Sequence, residues 1–187
     1  MKEWKEKLAT IHHYDKQAAI YDVQYRGEQN SKIEYILKNM ELNTNEQILD
    51  IGCGTGFLFQ YIPQKVGFIV GVDISLNALK EAKKRIKNRF SIALIRADAD
   101  NTPFSDSTFD KIFAITVLQN MPKPVKTITE MMRVGKTEAI FAVTGLKKKY
   151  TQKSFLNILG KTKLKVVSLN SSQQLKGYIA LCRNVES

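Results

Sequence analysis

The chain is predicted to be an α/β protein with a doubly wound, mostly parallel sheet of seven strands, helices on both faces and a C-terminal antiparallel hairpin. Three observations carry this. Short β-branched runs alternate with segments of helical period through the middle of the chain, the signature of a parallel sheet with crossover helices. The first run, "ILDIGCGTGF" (48–57), ends in glycines at every second position, as a strand does when it stops at a bare turn. The last two apolar runs, "KLKVVSL" and "GYIALCR", are separated only by the polar "NSSQQLK", so they pair directly as an antiparallel hairpin.

Taken in order, Tyr14 to Tyr25 carries Ala18, Ala19, Ile20 and Tyr21, and Ser31 opens a segment with Ile33, Ile36, Leu37 and Met40 at helical spacing. Two or three N-terminal helices are expected. Gln47 to Ile51 and Gly67 to Val72 are β-branched runs that meet Asp50 and Asp73 at their ends, so both read as buried strands, with a helix over Phe57 to Ile62 between them. Ser75 suits the N-cap of a helix through Leu76, Leu79, Ala82, Ile86 and Phe90. "SIALIRAD" and "FDKIFAITV" supply the third and fourth strands around the turn-rich "NTPFSDST". A helix follows Pro122 and Pro124, "EAIFAVTG" is the fifth strand, and "TQKSFLNILG" is a helix ending at Gly160. At 187 residues the chain fits one domain, 1–187.

Composition excludes several classes. No apolar run approaches the roughly 20 residues of a membrane span, and the first residues lack a signal-peptide apolar region, so a cytoplasmic protein without membrane contact is expected. Two cysteines far apart, Cys53 and Cys182, support neither a disulfide framework nor a structural zinc site. His12 and His13 are adjacent and lack the further ligands that a metal needs, so no metal is expected. The net charge is +11 and unevenly placed: no acidic residue occurs from Ala139 to Val185, where Lys147, Lys148 and Lys149 stand among other cations. Such asymmetry favours a polyanionic partner, since nucleic-acid binding is largely phosphate neutralisation.

The glycine loop places backbone N–H groups at the carboxyl edge of the sheet, where ligands bind in open α/β folds. A Walker loop fails, because the Gly-Lys-Thr triplets at Gly135 and Gly160 have Glu130 and Phe155 where the first glycine belongs. A dinucleotide fingerprint is weakened, because Phe57 replaces its third glycine.

"DIGCGTG", Asp50 to Gly56, resembles the first motif of the class I S-adenosylmethionine-dependent methyltransferases, whose fold is Rossmann-like. The resemblance runs from about Tyr14 to Arg183. It implies S-adenosylmethionine as cofactor and S-adenosylhomocysteine as product. By the same resemblance Asp50 orients the methionine amine, and Gly52, Cys53, Gly54 and Gly56 pass beneath the carboxypropyl chain. Asp73 accepts from the ribose hydroxyls, Ile74 packs on the adenine, and Asp98 and Ala99 read its edge. Thr116 to Gln119 floor the reactive methyl. Tyr21 matches a position where an N-terminal helix closes over the cofactor, so residues 1–40 are expected to form a lid and 41–187 the core.

No catalytic residue is singled out; Asp15, His12 and His13 near the lid are open candidates for a base. The fourth strand ends in "TVLQNM", which lacks the Asn/Asp-Pro-Pro-Tyr/Phe signature of the family's amide and adenine methylators. "VTGLKKKYTQKS" passes directly from strand to helix, leaving an open mouth beside Lys147, Lys148 and Lys149. RNA, tRNA or rRNA, is therefore the expected acceptor, held by those lysines with Gln119 and Asn120 near the methyl. A small molecule is the alternative, a protein third, and a non-enzymatic cofactor-binding partner last. A small activating subunit could join at an exposed edge strand.

Overall fold

The computed structural model describes residues 2–17, 21–87, 89 and 91–184, with side chains described for all of these except 2, 17 and 21–24. Expectations resting on Ala18, Ala19, Ile20, Phe90 and the Tyr21 side chain lie outside what is described. Helices α1 (Lys2–Gln17) and α2 (Tyr21–Asn39) precede strand β1 (Gln47–Ile51). Then come β2 (Phe68–Asp73), α3 (Leu76–Arg85), β3 (Ile92–Arg96), β4 (Phe109–Ala114), α4 (Pro124–Val134) and β5 (Gly135–Leu146). The chain ends with α5 (Gln152–Gly160), β6 (Leu164–Asn170) and β7 (Gly177–Asn184).

One seven-stranded sheet runs β3-β2-β1-β4-β5-β7-β6. The first five strands are mutually parallel, while β7 pairs antiparallel with both β5 and β6. The expected hairpin therefore forms, and its second strand is the one inserted against the parallel sheet. Because successive strand residues point to opposite faces, neighbours separate into two cores. Leu49, Ile112 and Phe141 pack with Met131 and Phe155 on one face; Ile48, Phe113 and Ala142 pack with Ile33, Ile36, Phe59 and Leu79 on the other. Ser75 caps α3 by accepting from the Ala78 N–H, and Thr151 caps α5 in the same way through Ser154.

The helix expected over Phe57 to Ile62 is instead one 3-10 turn at Leu58–Gln60. Pro63 arrives too soon for a ladder of i to i−4 bonds and brings no N–H of its own. Arg89 takes the carbonyls left over, donating to those of Phe59, Ile62 and Pro63.

Glu130 on α4 fixes the loop that follows β3. Its carboxylate accepts from the Thr102 backbone N–H (2.7 Å) and hydroxyl (2.6 Å), and from Arg133 at 2.7 and 2.8 Å. The Arg133 hydrogen bond, with help from Thr102, lowers the Glu130 carboxyl from 4.5 to about 2. A depressed folded-state value contributes stability that is present above pH 4.5 and is lost as pH falls towards 2. Glu130→Gln is expected to cost about 2 to 3 kcal/mol at neutral pH. In urea unfolding, the gap to the native chain should close across that acidic window; a gap constant with pH would refute the ion-pair account.

Candidate active site at the carboxyl edge of the sheet

The parallel strands all point one way, so their carboxyl ends and the following loops meet along one edge. There they surround a cleft of about 1160 Å³, counting its open mouth. At the end of β1 the Asp50 side chain is 3% exposed, and its carboxylate has no hydrogen-bond partner among the described residues. Burial pushes this carboxyl well above the usual range, and the charge of Asp73 adds to the shift. The loop that follows has left-handed backbone at Gly52, Gly54 and Gly56 (φ 67°, 54° and 77°). It is tied back by Cys53 N–H to the Val72 carbonyl at 2.9 Å.

Asp73, at the end of β2, braces this loop against α3. One oxygen accepts from the Gly54 N–H and the other from the Ser75 N–H, both at 2.8 Å. Burial nonetheless raises its carboxyl above the ordinary value. The Cys53 thiol is pushed up by burial as well, which marks it as a packing residue and not a nucleophile.

Beyond β3, Asp98 and Asp100 close around Lys7 of α1. The Lys7 ammonium lies 2.8 and 2.7 Å from the two Asp98 oxygens and 2.5 Å from Asp100 Oδ2, and Thr127 donates to Asp100 Oδ1. Burial alone would lower the Lys7 amine, but its bonds to Asp100 and Asp98 outweigh that and leave it raised. Helix α1 also bonds through Asp15 to the Ser75 hydroxyl and the Asn77 N–H. Thus α1 lies across the cleft, with Thr10, Ile11 and Tyr14 among its walls.

After β4, Thr116 has φ 65°, a conformation costing a β-branched residue roughly 1 to 2 kcal/mol. Its neighbours hold it there. Thr116 N–H donates to the Thr144 hydroxyl at 2.7 Å, and its own hydroxyl accepts from Gln29 (3.1 Å) and Lys32 (3.2 Å). Its carbonyl accepts from Gln119 (2.6 Å) and Asn120 (3.2 Å). Buried Lys32 has its amine lowered by burial, against the pull of Glu28 at 3.2 Å.

The cleft therefore gathers Asp50, Gly52, Cys53, Gly54, Asp73, Ile74, Asp98, Ala99, Thr116 and Asn120. Other expected residues fall elsewhere. Gln119 turns back to the Thr116 carbonyl and is not in the cleft wall. Lys147, Lys148 and Lys149 lie past the end of β5 and do not line the cleft. Lys147 is committed to the Ser171 and Ser172 carbonyls at 3.1 and 2.6 Å and sits over the Tyr178 ring. Of the candidate bases, His12 and His13 are exposed outside the cleft wall and Asp15 is engaged by α3. Lys7, Gln29 and Lys32 were not legible as site residues; the i, i+4 spacing of Glu28 and Lys32 was the one readable hint. Among the described residues no cluster of His, Cys, Asp or Glu is placed to hold a metal.

The donor implied by the sequence resemblance bears an ammonium and a sulfonium. Asp50 is buried and Asp73 part-buried, and neither has a cationic partner among the described residues; Asp50 suits the ammonium and Asp73 offers carboxylate acceptors beside it. Gly54 has open space where a Cβ would stand, as a backbone under a ligand requires.

Comparison with known proteins bears on the family and the fold. A methyltransferase-domain family model matches residues 42–180. Demethylmenaquinone methyltransferase of Staphylococcus saprophyticus is 34% identical over 104 residues, 54% of this chain and 45% of that protein. The chain spans about half the length of the curated relatives it matches. A solved S-adenosylmethionine-dependent methyltransferase from Aquifex aeolicus superposes with a TM-score of 0.73 at 20% identity, over 82% of this chain and 89% of that one. A Haloferax volcanii methyltransferase complex with the activator Trm112 gives 0.76 at 14% identity, over 92% and 98%. The chain belongs to the class I S-adenosylmethionine-dependent methyltransferases, and S-adenosylmethionine is the cofactor of that family.

Proposed function

We propose that this chain transfers the methyl group of S-adenosylmethionine to a small, largely apolar acceptor that lies in the cleft beneath α1. One observation carries the reading: away from the Asp50 and Asp73 carboxylates, the cleft is walled by Ile11, Ile33, Phe57, Leu58, Ile115 and Met121. The polar groups among them, Gln29, Thr116, Tyr14 and Asn120, are neutral, and Lys7, the one lysine in the wall among the described residues, is neutralised by Asp98 and Asp100. Such a site selects by shape and a few hydrogen bonds, not by phosphate charge. The similarity to a methyltransferase named for a small-molecule acceptor supports the same reading.

In this reading Asp50 faces the donor's ammonium, Asp73 its ribose and Asp98 its adenine, with Ile74 and Ala99 against the ring. S-adenosylmethionine brings an activated methyl on sulfur, so the chain's task is alignment and exclusion of water. α1 acts as the lid and supplies the ceiling. Asn120, 2.8 Å from the Tyr14 hydroxyl, and Thr116 can orient a polar atom of the acceptor. RNA remains the second reading, carried by the acid-free basic stretch from Ala139 onward. The Trm112 complex of a structural neighbour adds a small activating subunit as a partner to test.

Labelled donor offered with tRNA, ribosomal RNA, protein extract and metabolite extract, with and without such a subunit, separates these readings. Label is expected in the organic-soluble metabolite fraction. Replacing Lys147, Lys148 and Lys149 together by Glu should leave that transfer within about twofold, as exposed surface charges do away from a site. Label confined to RNA, and lost in the triple variant, would overturn the reading.

A further inference from the structure

Lys7 stands outside every sequence motif of the donor site, yet its ammonium contacts the carboxylate facing the adenine pocket. Asp98 Oδ1 has two donors, Lys7 at 2.8 Å and the Asp100 backbone N–H at 3.0 Å. Among the described residues Oδ2 has Lys7 alone, at 2.7 Å. A carboxylate oxygen offers about two lone-pair sites, so Oδ1 is filled and Oδ2 retains one acceptor position. Asp98 is 27% exposed and borders the cleft, whereas Asp100 is fully buried and committed to Lys7 and Thr127.

We infer that Lys7 is a specificity-determining residue for the donor's base: by fixing both Asp98 oxygens and leaving one acceptor position on Oδ2, it makes the site demand a hydrogen-bond donor at position 6 of the purine. This rests on the assignment of Asp98 to the adenine. An adenine amino group supplies that donor. A hypoxanthine carbonyl at the same position is a second acceptor and meets the Oδ2 lone pair head on. Sites built around one polarity of hydrogen bond reject the opposite polarity strongly, because a buried group is then left unpaired. Without the ammonium, the Asp100 backbone N–H on Oδ1 is the one donor left to Asp98 among the described residues, so its carboxylate can turn and the demand for a donor at that position relaxes. Lys7 also fastens α1 over the cleft, and that second effect acts on any ligand beneath the helix regardless of its base.

Calorimetric titration with S-adenosylhomocysteine and S-inosylhomocysteine, which differ at that purine position, separates the two effects. The native chain is expected to prefer the adenosyl ligand by about 100-fold or more. In Lys7→Met the preference should fall below about tenfold, while Lys7→Arg, which keeps the cation, should hold it within about threefold of native. Asp98→Asn, whose amide can donate to a carbonyl, should also collapse the preference. A Lys7→Met chain that loses affinity for both ligands equally, at the native ratio, would overturn the inference and leave Lys7 as a fastener of α1. If Asp98→Asn keeps the native ratio too, the assignment of Asp98 to the adenine falls instead. Thermal unfolding of each variant checks that the ratio is read on folded protein, and Lys7→Gln, which also removes the cation and should likewise lower the ratio, supplies the measurement should Lys7→Met not fold.

Discussion

Asp73→Ala is expected to weaken S-adenosylmethionine binding by about 3 kcal/mol, on the order of a hundredfold. The loss exceeds that of one ligand contact because the carboxylate does two jobs. It faces the cleft, and it also holds the Gly54 and Ser75 backbone N–H groups at 2.8 Å, so its removal frees the loop under the donor and the start of α3 together. Stability should fall less than affinity, since deleting a carboxylate whose pKa burial has raised removes a desolvation penalty along with the hydrogen bonds. The same raised carboxyl sets a pH signature. A carboxyl whose folded value lies above its unfolded one favours the protonated fold, so the unliganded chain gains stability from Asp50 and Asp73 as pH falls through their raised values. In the proposed reading donor binding needs them ionised. Acidification should therefore weaken donor affinity while it relieves the unliganded fold, and calorimetry beside thermal melts would show the two moving in opposite directions. Affinity unchanged in Asp73→Ala would remove the end of β2 from the donor site.

Strands β1 and β2 were legible because each is a largely buried run rich in β-branched residues and closed by a residue that cannot continue it, as at Asp50 to Gly52 and Asp73 to Ser75. The 3-10 turn after the glycine loop was not, since the apolar spacing of Phe57 to Ile62 fits a helix and only Pro63 and the distant Arg89 decide otherwise. The acidic residues in the cleft wall, Asp50, Asp73 and Asp98, were legible from local motifs at strand ends. The partners that α1 and α2 bring to the cleft were not. Lys7 meets Asp98 across 91 positions and Lys32 meets Thr116 across 84, and no periodicity announces pairs so remote. The basic final quarter points to RNA by composition alone, which counts charges and cannot show that the fold turns Lys147 onto Ser171 and Ser172 and lines the cleft with isoleucines.

Two glycines of one loop should respond to the same methyl group in opposite ways. At Gly56, φ is 77° and a Cβ would meet Phe59 at 2.7 Å and Ala82 at 3.0 Å, so Gly56→Ala strains the backbone and overfills the core beneath α3. The expected cost is about 2 to 4 kcal/mol of stability, from left-handed strain and overpacking together. The fraction that remains folded should bind the donor within about threefold of native, because the clash points away from the cleft. At Gly54, φ is 54° and a Cβ would meet nothing within 4 Å. Gly54→Ala therefore carries only the backbone strain, about 1 to 2 kcal/mol. In the proposed reading its methyl stands where the donor's chain passes, and a displacement of even ~1 Å at such a site costs on the order of a hundredfold. Denaturation midpoints and donor titrations on the two variants should show stability lost at one position and affinity at the other. A Gly54→Ala chain with native donor affinity would mean that the loop turns the backbone without cradling the ligand, and the fit of the donor to this cleft would then rest on Asp50 and Asp73 alone.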